Sequence, residues 1–252
     1  MNTRKILILG GTGAMGTHLV DLLSQQGCEL VVTSRSRSAT AEKVRYLRGD
    51  AHDPRFLDPI LASEQWSAII DFMVYSTAGF KTRVQSLLDA TAQYIFLSSS
   101  RVYAESSTPL TENSPRLLDV CTDQTYLATD EYALTKARQE DLLFASGRSN
   151  WTIIRPYITF SHERLQLGVL EKEDWLFRAL DGRTVVFSKD INDRLTTLTY
   201  GEDVAKGITA IIGQTDALGQ AFHITSPNAI RWSDVLELYS NTRATALGSH
   251  NG

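Results

Sequence analysis

The 252-residue sequence predicts an α/β fold in which a parallel sheet is covered by helices on both faces. Short apolar runs rich in β-branched and aromatic residues recur along the chain, and amphipathic segments with helical spacing separate several of them. A glycine-rich stretch, "GGTGAMG" at 10–16, directly follows the first apolar run. Strand, glycine-rich turn and helix in this order are typical of a Rossmann-type doubly wound parallel sheet.

The individual elements follow from these patterns. The apolar runs predict strands at 6–9, 30–33, 44–47, 68–72, 94–98 and 151–155. The amphipathic segments predict helices at 16–26, 84–92 and 132–144. After Arg155 the regular alternation fades, and only two further strands are predicted, at 184–187 and 221–225.

This change of pattern suggests a division of the chain. We expect residues 1–160 to form the sheet domain and residues 184–225 to return to it. Residues 161–183 and 226–252 would then form a small C-terminal substrate lobe, which is either unusually short or incomplete.

Composition excludes several classes of function. The formal net charge of −4 and the pI of about 5.8 leave no surplus of cations for a phosphate polymer, which argues against nucleic acid as a partner. No apolar stretch reaches the roughly 18 residues that span a bilayer, and no signal-peptide pattern is present, so we expect a cytoplasmic protein. Cys28 and Cys121 are predicted to be free thiols. The stretch "HERLQ" at 162–166 lacks the second histidine of a zinc helix, and no metal is expected.

The glycine-rich turn has the properties of a phosphate-binding loop. Gly10, Gly13 and Gly16 carry no Cβ, so the backbone can approach a diphosphate, and the helix that follows supplies amide donors and a favourable dipole. The same spacing also occurs where glycines only let a helix pack closely on a strand. Its position on the first strand of an alternating chain favours a dinucleotide cofactor.

The turn after the second predicted strand favours NADP over NAD. NAD-binding sheets usually carry an acidic residue here for the ribose hydroxyl groups, whereas NADP needs a cation for its 2′-phosphate. The sequence reads "TSRSR" at 33–37, with no acid, and Arg35 lies between two serines. NAD stays the alternative cofactor, and a solvated basic loop is the alternative interpretation.

Two further motifs suggest a reaction. Three serines, 98–100, end a predicted strand, and Tyr132 and Lys136 are four residues apart on one predicted helix, where they share a face. A neighbouring cation favours the phenolate of a tyrosine, whose ordinary pKa is about 10. Tyr132 could thus act as the acid or base of a carbinol and carbonyl interconversion. Either motif alone is weak, since serine runs are common in turns.

With these motifs in this order, the chain resembles an extended short-chain dehydrogenase/reductase of the NAD-dependent epimerase/dehydratase family. The family's glycine pattern, its Ser-Ser strand end before "VY" and its YxxxK helix correspond to "GGTGAMG", "SSSRVY" and "YALTK". Further matches are "GDAHD" at 49–53, "TPLTENSP" at 108–115, "IIRP" at 153–156 and "TYGEDVAKGI" at 199–208. The resemblance covers residues 5 to about 238.

The resemblance implies a role for individual residues. Ser99 would be the catalytic hydroxyl, Tyr132 the acid/base, and Lys136 the group that binds the nicotinamide ribose and lowers the tyrosine pKa. Asp50 would lie near the adenine, residues 73–75 would line the ribose, and Tyr157 would lie by the nicotinamide amide. The expected cofactor-binding residues are Gly10, Thr12, Gly13, Ala14, Met15, Gly16, Ser34, Arg35, Arg37, Asp50, Met73, Tyr75, Ser98, Lys136 and Pro156. The candidate substrate residues are Ser100 and Arg194.

Two functions are compatible with these residues. The favoured one is an NAD(P)-dependent oxidoreductase or epimerase that acts on a nucleotide-activated sugar or a similar carbinol or ketone, with a homodimer left open. The alternative is a dinucleotide-binding regulatory or RNA-associated protein of the same fold, without turnover. The presence of Ser99, Tyr132 and Lys136 together favours the enzyme.

Overall fold

The computed structural model describes residues 3–38, 40–41, 43–162 and 164–248. Its centre is a seven-stranded sheet in which all neighbouring strands are parallel. The strand order is β12-β6-β5-β4-β1-β2-β3. The strands are β1 (Lys5–Leu9), β2 (Glu29–Ser34), β3 (Val44–Arg48), β4 (Ala68–Asp71), β5 (Tyr94–Leu97), β6 (Trp151–Arg155) and β12 (Gln220–His223). This order confirms the predicted doubly wound sheet.

Successive side chains of the strands belong alternately to two apolar layers, one on each face of the sheet. Leu7 of β1 and Ile69 of β4 contribute to one layer, while Ile6 and Ile8 of β1 contribute to the other. All four side chains are fully buried. Burial on both faces explains why the inner strands are continuous apolar runs in the sequence rather than alternating ones.

Helices cover both faces of the sheet. They are α1 (Gly16–Gln25), α2 (Pro54–Ala62), α3 (Thr77–Lys81), α4 (Val84–Asp89), α5 (Leu117–Val120), α6 (Gln124–Leu127), α7 (Tyr132–Phe144), α8 (Lys172–Leu180), α9 (Gly201–Ile211) and α10 (Trp232–Gly248). Gly27, with φ of +81°, follows the end of α1, in the left-handed region that favours glycine. Helix α7 has the bounds that the sequence predicted.

A smaller apolar cluster lies in the C-terminal part. Trp175 of α8 and Trp232 of α10 are buried in it. Short strand pairs accompany it: β7 (Ile158–Phe160) with β11 (Leu198–Tyr200), β8 (Gln166–Leu167) with β9 (Leu170–Glu171), and β10 (Leu195–Thr196) with β13 (Ile230–Arg231).

The predicted strand at 184–187 is wrong. Val185 and Phe187 pack against the small cluster, and Val186 between them is 80% exposed, so the side-chain alternation is present. The segment nevertheless pairs with no strand, and alternation alone does not supply a ladder partner. These residues therefore pack with the small cluster, whereas the sequence had assigned them to the part that returns to the main sheet.

Candidate active site

The glycine-rich loop lies where β1 ends at the carboxyl edge of the sheet. Gly10 has φ of +70°, and its N–H donates to Thr33 Oγ1 of β2 over 3.0 Å. The Thr12 N–H donates back to the Gly10 carbonyl oxygen over 2.9 Å. The loop is thus fixed as a tight turn between two neighbouring strands, and only glycine adopts the Gly10 conformation without strain.

Gly16 and Gly13 of the loop differ in what a side chain at each position would contact. A Cβ on Gly16 would lie 2.6–2.8 Å from the backbone of Gly11, so this contact requires glycine for packing alone. Gly201, at the start of α9, is pressed against the carbonyl group of Ala14 in the same way. A Cβ on Gly13, in contrast, would meet no atom within 4 Å. Packing therefore does not explain Gly13, which lies open at the loop.

The start of α1 fits an anionic ligand. Met15 precedes the helix and forms no side-chain capping bond, and the first turn contains no acidic residue. The amide groups and the positive end of the helix dipole at this turn are therefore free of a competing carboxylate. A diphosphate group fits this position, with Gly13 providing the close approach.

A cleft of about 290 Å³ lies along the carboxyl ends of β1 to β4. It is lined by Gly10, Thr12, Thr33, Ser34, Arg35, Gly49, Ala51, His52, Phe72, Met73 and Val74. Five of the expected cofactor residues are in this set, namely Gly10, Thr12, Ser34, Arg35 and Met73. Arg37 is exposed outside it, and the hydroxyl of Ser34 accepts the N–H groups of Ser36 and Arg37.

His52 lines the cleft but was given no role from the sequence, whereas Val74 lies within the segment 73–75 that was expected at the ribose. Asp50 Oδ1 accepts both the His52 N–H and His52 Nδ1, each at 2.9 Å, and His52 Nε2 lies 3.0 Å from the Val74 carbonyl oxygen. These bonds from His52 hold the pKa of Asp50 below its ordinary value. His52 therefore links the loops that follow β3 and β4, and of its two partners Asp50 is two residues away whereas Val74 is distant in the sequence.

The catalytic candidates meet at the end of β5. Ser99 is 7% exposed, and its hydroxyl lies near that of Tyr132, which begins α7 and is 38% exposed. Burial raises the pKa of Tyr132, while the Ser99 hydroxyl and the charges of Arg101 and Arg164 act in the opposite direction. The phenol is thus accessible and close to the predicted serine.

Lys136 is buried one turn further along α7. Its ammonium donates to the Leu97 carbonyl oxygen over 2.7 Å and lies 4.6 Å from the centre of the Phe96 ring. Burial lowers the pKa of Lys136 to about 8, against the opposing effect of the carboxylates of Asp71 and Glu140. A cation is therefore held beneath the site by the Leu97 carbonyl oxygen, and the charges of two buried acids favour it.

Glu140 belongs to a buried ion pair that the sequence did not reveal. Its two oxygens accept Arg155 Nε over 2.9 Å and Nη2 over 2.8 Å, and Oε1 also accepts the Ser98 hydroxyl over 2.6 Å. Arg155 Nη1 further donates to the Tyr103 hydroxyl over 2.7 Å. The hydroxyl of Ser98, expected to contact the cofactor, is thus engaged by Glu140.

Asp71 forms the second buried acidic centre. Oδ2 accepts the hydroxyl groups of Tyr94 at 2.7 Å and Tyr75 at 3.0 Å, and Oδ1 accepts the Met73 N–H at 2.9 Å. Burial raises the pKa of Asp71, and these three donors oppose that shift. Tyr75 is only 4% exposed, so its ring lies in the core rather than at the cleft.

The remaining candidates are spread around the site. The Ser100 hydroxyl donates to the Arg155 carbonyl oxygen over 2.9 Å, and the Pro156 carbonyl accepts the Ser100 N–H over 2.8 Å, so both residues shape the turn. Arg194 is exposed beside the small cluster, where its carbonyl oxygen accepts the Trp232 N–H. Nothing in the geometry brings Arg194 to Tyr132. The charge of Arg164, which the sequence did not suggest, does act on Tyr132 and lowers its pKa.

The described residues offer neither a metal-binding cluster nor a membrane-spanning helix. Within that part of the chain, no group of three or more histidine, cysteine, aspartate or glutamate side chains is arranged to hold a metal ion. None of the helices described there combines the length and the apolar character needed to cross a membrane.

Comparison with known sequences found relatives that align along most of the chain, among them the following two. The chloroplast stem-loop binding protein of 41 kDa b from Arabidopsis thaliana is 25% identical over 88% of this chain and 58% of the relative. The 2′-dehydrokanamycin reductase of Streptomyces kanamyceticus is 23% identical over 94% of this chain and 66% of the relative. The chain thus spans about six tenths of the length of these two proteins.

Among solved structures, the fold is similar to that of UDP-glucuronic acid 4-epimerase from Bacillus cereus, which was determined in complex with NAD. The TM-score is 0.73, the identity is 17%, and the match covers 95% of this chain and 83% of the other. The model of the NAD dependent epimerase/dehydratase family matches residues 6–225, which is most of the chain. With the glycine loop, the parallel sheet and the YxxxK helix described above, the chain belongs to the NAD-dependent epimerase/dehydratase family.

Proposed function

We propose that this protein is an NAD(P)-dependent oxidoreductase or epimerase in which Ser99, Tyr132 and Lys136 perform the acid/base chemistry. The observation that carries the proposal is that the hydroxyl groups of Ser99 and Tyr132 lie near each other at the end of β5, with the buried ammonium of Lys136 one helix turn further along α7. These residues come from a strand end and a helix, on the same edge of the sheet as the glycine loop. A phosphate-binding loop and a proton-transfer group at one edge suit a reaction that moves a hydride and a proton together.

Each residue of the group has a chemical task. Tyr132 Oη gives its proton to a carbonyl oxygen, or takes one from a carbinol, and the Ser99 hydroxyl orients the same oxygen. The charge of Lys136 stabilises negative charge that develops nearby. A bound nicotinamide supplies or accepts the hydride.

The first test is the substitution Tyr132→Phe. We expect it to abolish turnover and to leave cofactor affinity nearly unchanged, because it removes the transferred proton without altering the glycine loop. Turnover would be followed with a panel of nucleotide sugars, by the absorbance of the reduced nicotinamide for an oxidoreductase and by chromatography of the sugar products for an epimerase, which leaves no net reduced cofactor. Cofactor affinity would be measured by fluorescence titration. Tyr46→Phe, on the edge strand β3, is the matched control and should retain full activity. Full activity of the Tyr132 variant would refute the mechanism.

The names of similar proteins support a nucleotide-activated sugar as the substrate class. UDP-glucose 4-epimerases occur among the sequence relatives, and UDP-glucuronic acid 4-epimerase among the structural ones. A protein without turnover is the alternative, and the likeness to a stem-loop binding protein favours it. The same panel separates the two, since a non-catalytic protein would bind the cofactor and convert none of the sugars. The cytoplasmic location and the homodimer stay predictions.

NADP is the proposed cofactor. Arg35 lines the cleft at the end of β2, at the position where a 2′-phosphate requires a cation, and no acidic residue occupies the turn from Ser34 to Ser38. We expect NADPH to bind more tightly than NADH, and Arg35→Ala to abolish the preference. Arg45→Ala removes an exposed cation of β3 outside the cleft and should leave it intact. Equal affinity of the unmodified protein for both cofactors would contradict the proposal.

A further inference from the structure

Arg101 contacts both members of the proposed proton-transfer pair. It lies in the short 3-10 turn Ser100–Val102 that follows β5. Its main-chain N–H donates to Ser99 Oγ over 3.2 Å, and the Cζ atom of its guanidinium lies 5.7 Å from the centre of the Tyr132 ring. Because Ser99 Oγ accepts this N–H, the serine's own proton is left to donate to the phenol oxygen.

The guanidinium of Arg101 is held in place by the first turn of α7. Its Nη2 donates to Glu131 Oε1 over 3.0 Å. The other oxygen, Glu131 Oε2, accepts the Ala133 N–H over 2.6 Å and the Tyr126 hydroxyl over 3.1 Å. Glu131 is therefore fixed as the cap of the helix that begins with Tyr132, and it ties Arg101 to the same helix turn.

The charges that face the phenol differ from those expected from the sequence. Arg101, Arg164 and Glu131 act on Tyr132. Both arginines are paired, Arg164 with Glu171 at 2.6 Å and 3.1 Å and Arg101 with Glu131 at 3.0 Å, but the guanidinium of Arg101 also lies over the Tyr132 ring. Lys136, on the same helix, bonds the Leu97 carbonyl oxygen instead and interacts with Asp71 and Glu140.

We propose that Arg101 is a positioning residue that fixes the Ser99–Tyr132 pair and stabilises the ionised form of Tyr132. The inference rests on the proposed function, but the property it concerns, the ionisation of one phenol, exists without substrate. The ammonium of Lys136 is bound by the Leu97 carbonyl oxygen in the protein interior, whereas the guanidinium of Arg101 places a positive charge over the Tyr132 ring from the solvent side. Because Arg101 is half exposed, its effect is moderate and decreases with salt.

The test is a titration of Tyr132 by NMR in the full-length protein labelled with 13C at tyrosine Cζ, with the resonance assigned from its loss in Tyr132→Phe. Arg101→Gln should raise the titration midpoint of Tyr132 by about 0.5–1 pH unit, since a cation beside the ring is removed. Arg101→Lys should restore most of the shift, because it keeps the charge. Added salt should shrink the difference between Arg101→Gln and the unmodified protein.

Arg138→Gln is the matched control, since it also removes one cation from the neighbourhood of α7. The guanidinium of Arg138 donates to the Thr129 carbonyl oxygen over 2.8 Å and is not among the charges that act on the phenol. Its midpoint should equal that of the unmodified protein. An unchanged midpoint in Arg101→Gln, or an equal shift in Arg138→Gln, would overturn the proposal. Failure of the proposed function would appear separately, as absence of turnover in a protein whose Tyr132 midpoint still responds to Arg101.

Discussion

The two ends of the candidate site, at the glycine loop and at the end of β5, are formed by different kinds of atoms. At the glycine loop the site consists of backbone atoms. Gly16 packs on the backbone of Gly11, and the first turn of α1 contains no acidic residue. At the other end the site is made of side chains, and the charged groups of Lys136 and Glu140 are at most 3% exposed. The tolerance of the first end to substitution is therefore limited by the volume that a side chain adds. The tolerance of the second end is limited by the need to compensate buried charges.

The largest effect is expected from removing a buried charge at the second end. Glu140→Gln leaves the guanidinium of Arg155, itself 4% exposed, without its main counter-ion. Loss of one partner of a buried ion pair costs about 3–5 kcal/mol. Urea unfolding should show this loss in free energy of unfolding.

Glu64→Gln is the control for this substitution. Glu64 forms an ion pair of the same length with Lys5, at 2.8 Å, but both side chains are about 40% exposed. Exposed pairs contribute about 0–1 kcal/mol, so this variant should unfold almost as the unmodified protein does. Similar losses in both variants would contradict the view that charge compensation limits the second end.

The second prediction concerns pH. The pKa of Lys136 is lowered from 10.5 to about 8 in the folded protein, so between these values the unfolded chain binds more protons than the folded one. The destabilisation by this group is complete below pH 8 and is relieved as the pH rises to 10.5. Relative to Lys136→Met, the free energy of unfolding should rise across this window by about 3 kcal/mol at most.

Turnover should change in the opposite direction over the same window. Above about pH 8 Lys136 loses its charge, and the stabilisation of negative charge at Tyr132 decreases. If the free energy of unfolding of the unmodified protein changed with pH in the same way as that of Lys136→Met, the ammonium would not be buried as described. The glycine loop contains no titrating group, so this response belongs to the side-chain end of the candidate site.

The sequence predicted the backbone end better than the side-chain end. Strands such as β1 and β6 are short apolar runs buried on both faces, and the glycine spacing indicates a local turn. The strands and the turn can therefore be predicted from residues that are neighbours in the sequence. The YxxxK pair is equally local, since one helix turn brings Tyr132 and Lys136 together.

The partners of these residues depend on contacts between distant parts of the chain. Asp71 meets Tyr94 only because β4 and β5 are neighbours, and His52 reaches Val74 only because the turns after β3 and β4 lie at one edge. The spacing of residues along the sequence does not indicate which distant residues form such pairs. A buried acid in an apolar strand, as at Asp71, was the one hint available, since it requires hydrogen-bond donors around it.

The smallest effect expected on folding comes from adding a methyl group to the glycine loop, and two glycines make the comparison. Gly16→Ala would place Cβ 2.6–2.8 Å from the Gly11 backbone, an overpacking that costs about 1–3 kcal/mol, and should weaken cofactor binding as well. Gly13→Ala meets no protein atom within 4 Å, so its thermal stability should be unchanged. If a diphosphate occupies that space, cofactor affinity should still fall at least about tenfold, or about 1.4 kcal/mol. Fluorescence titration would measure the affinities, and normal cofactor binding by Gly13→Ala would show that Gly13 is not the point of close approach.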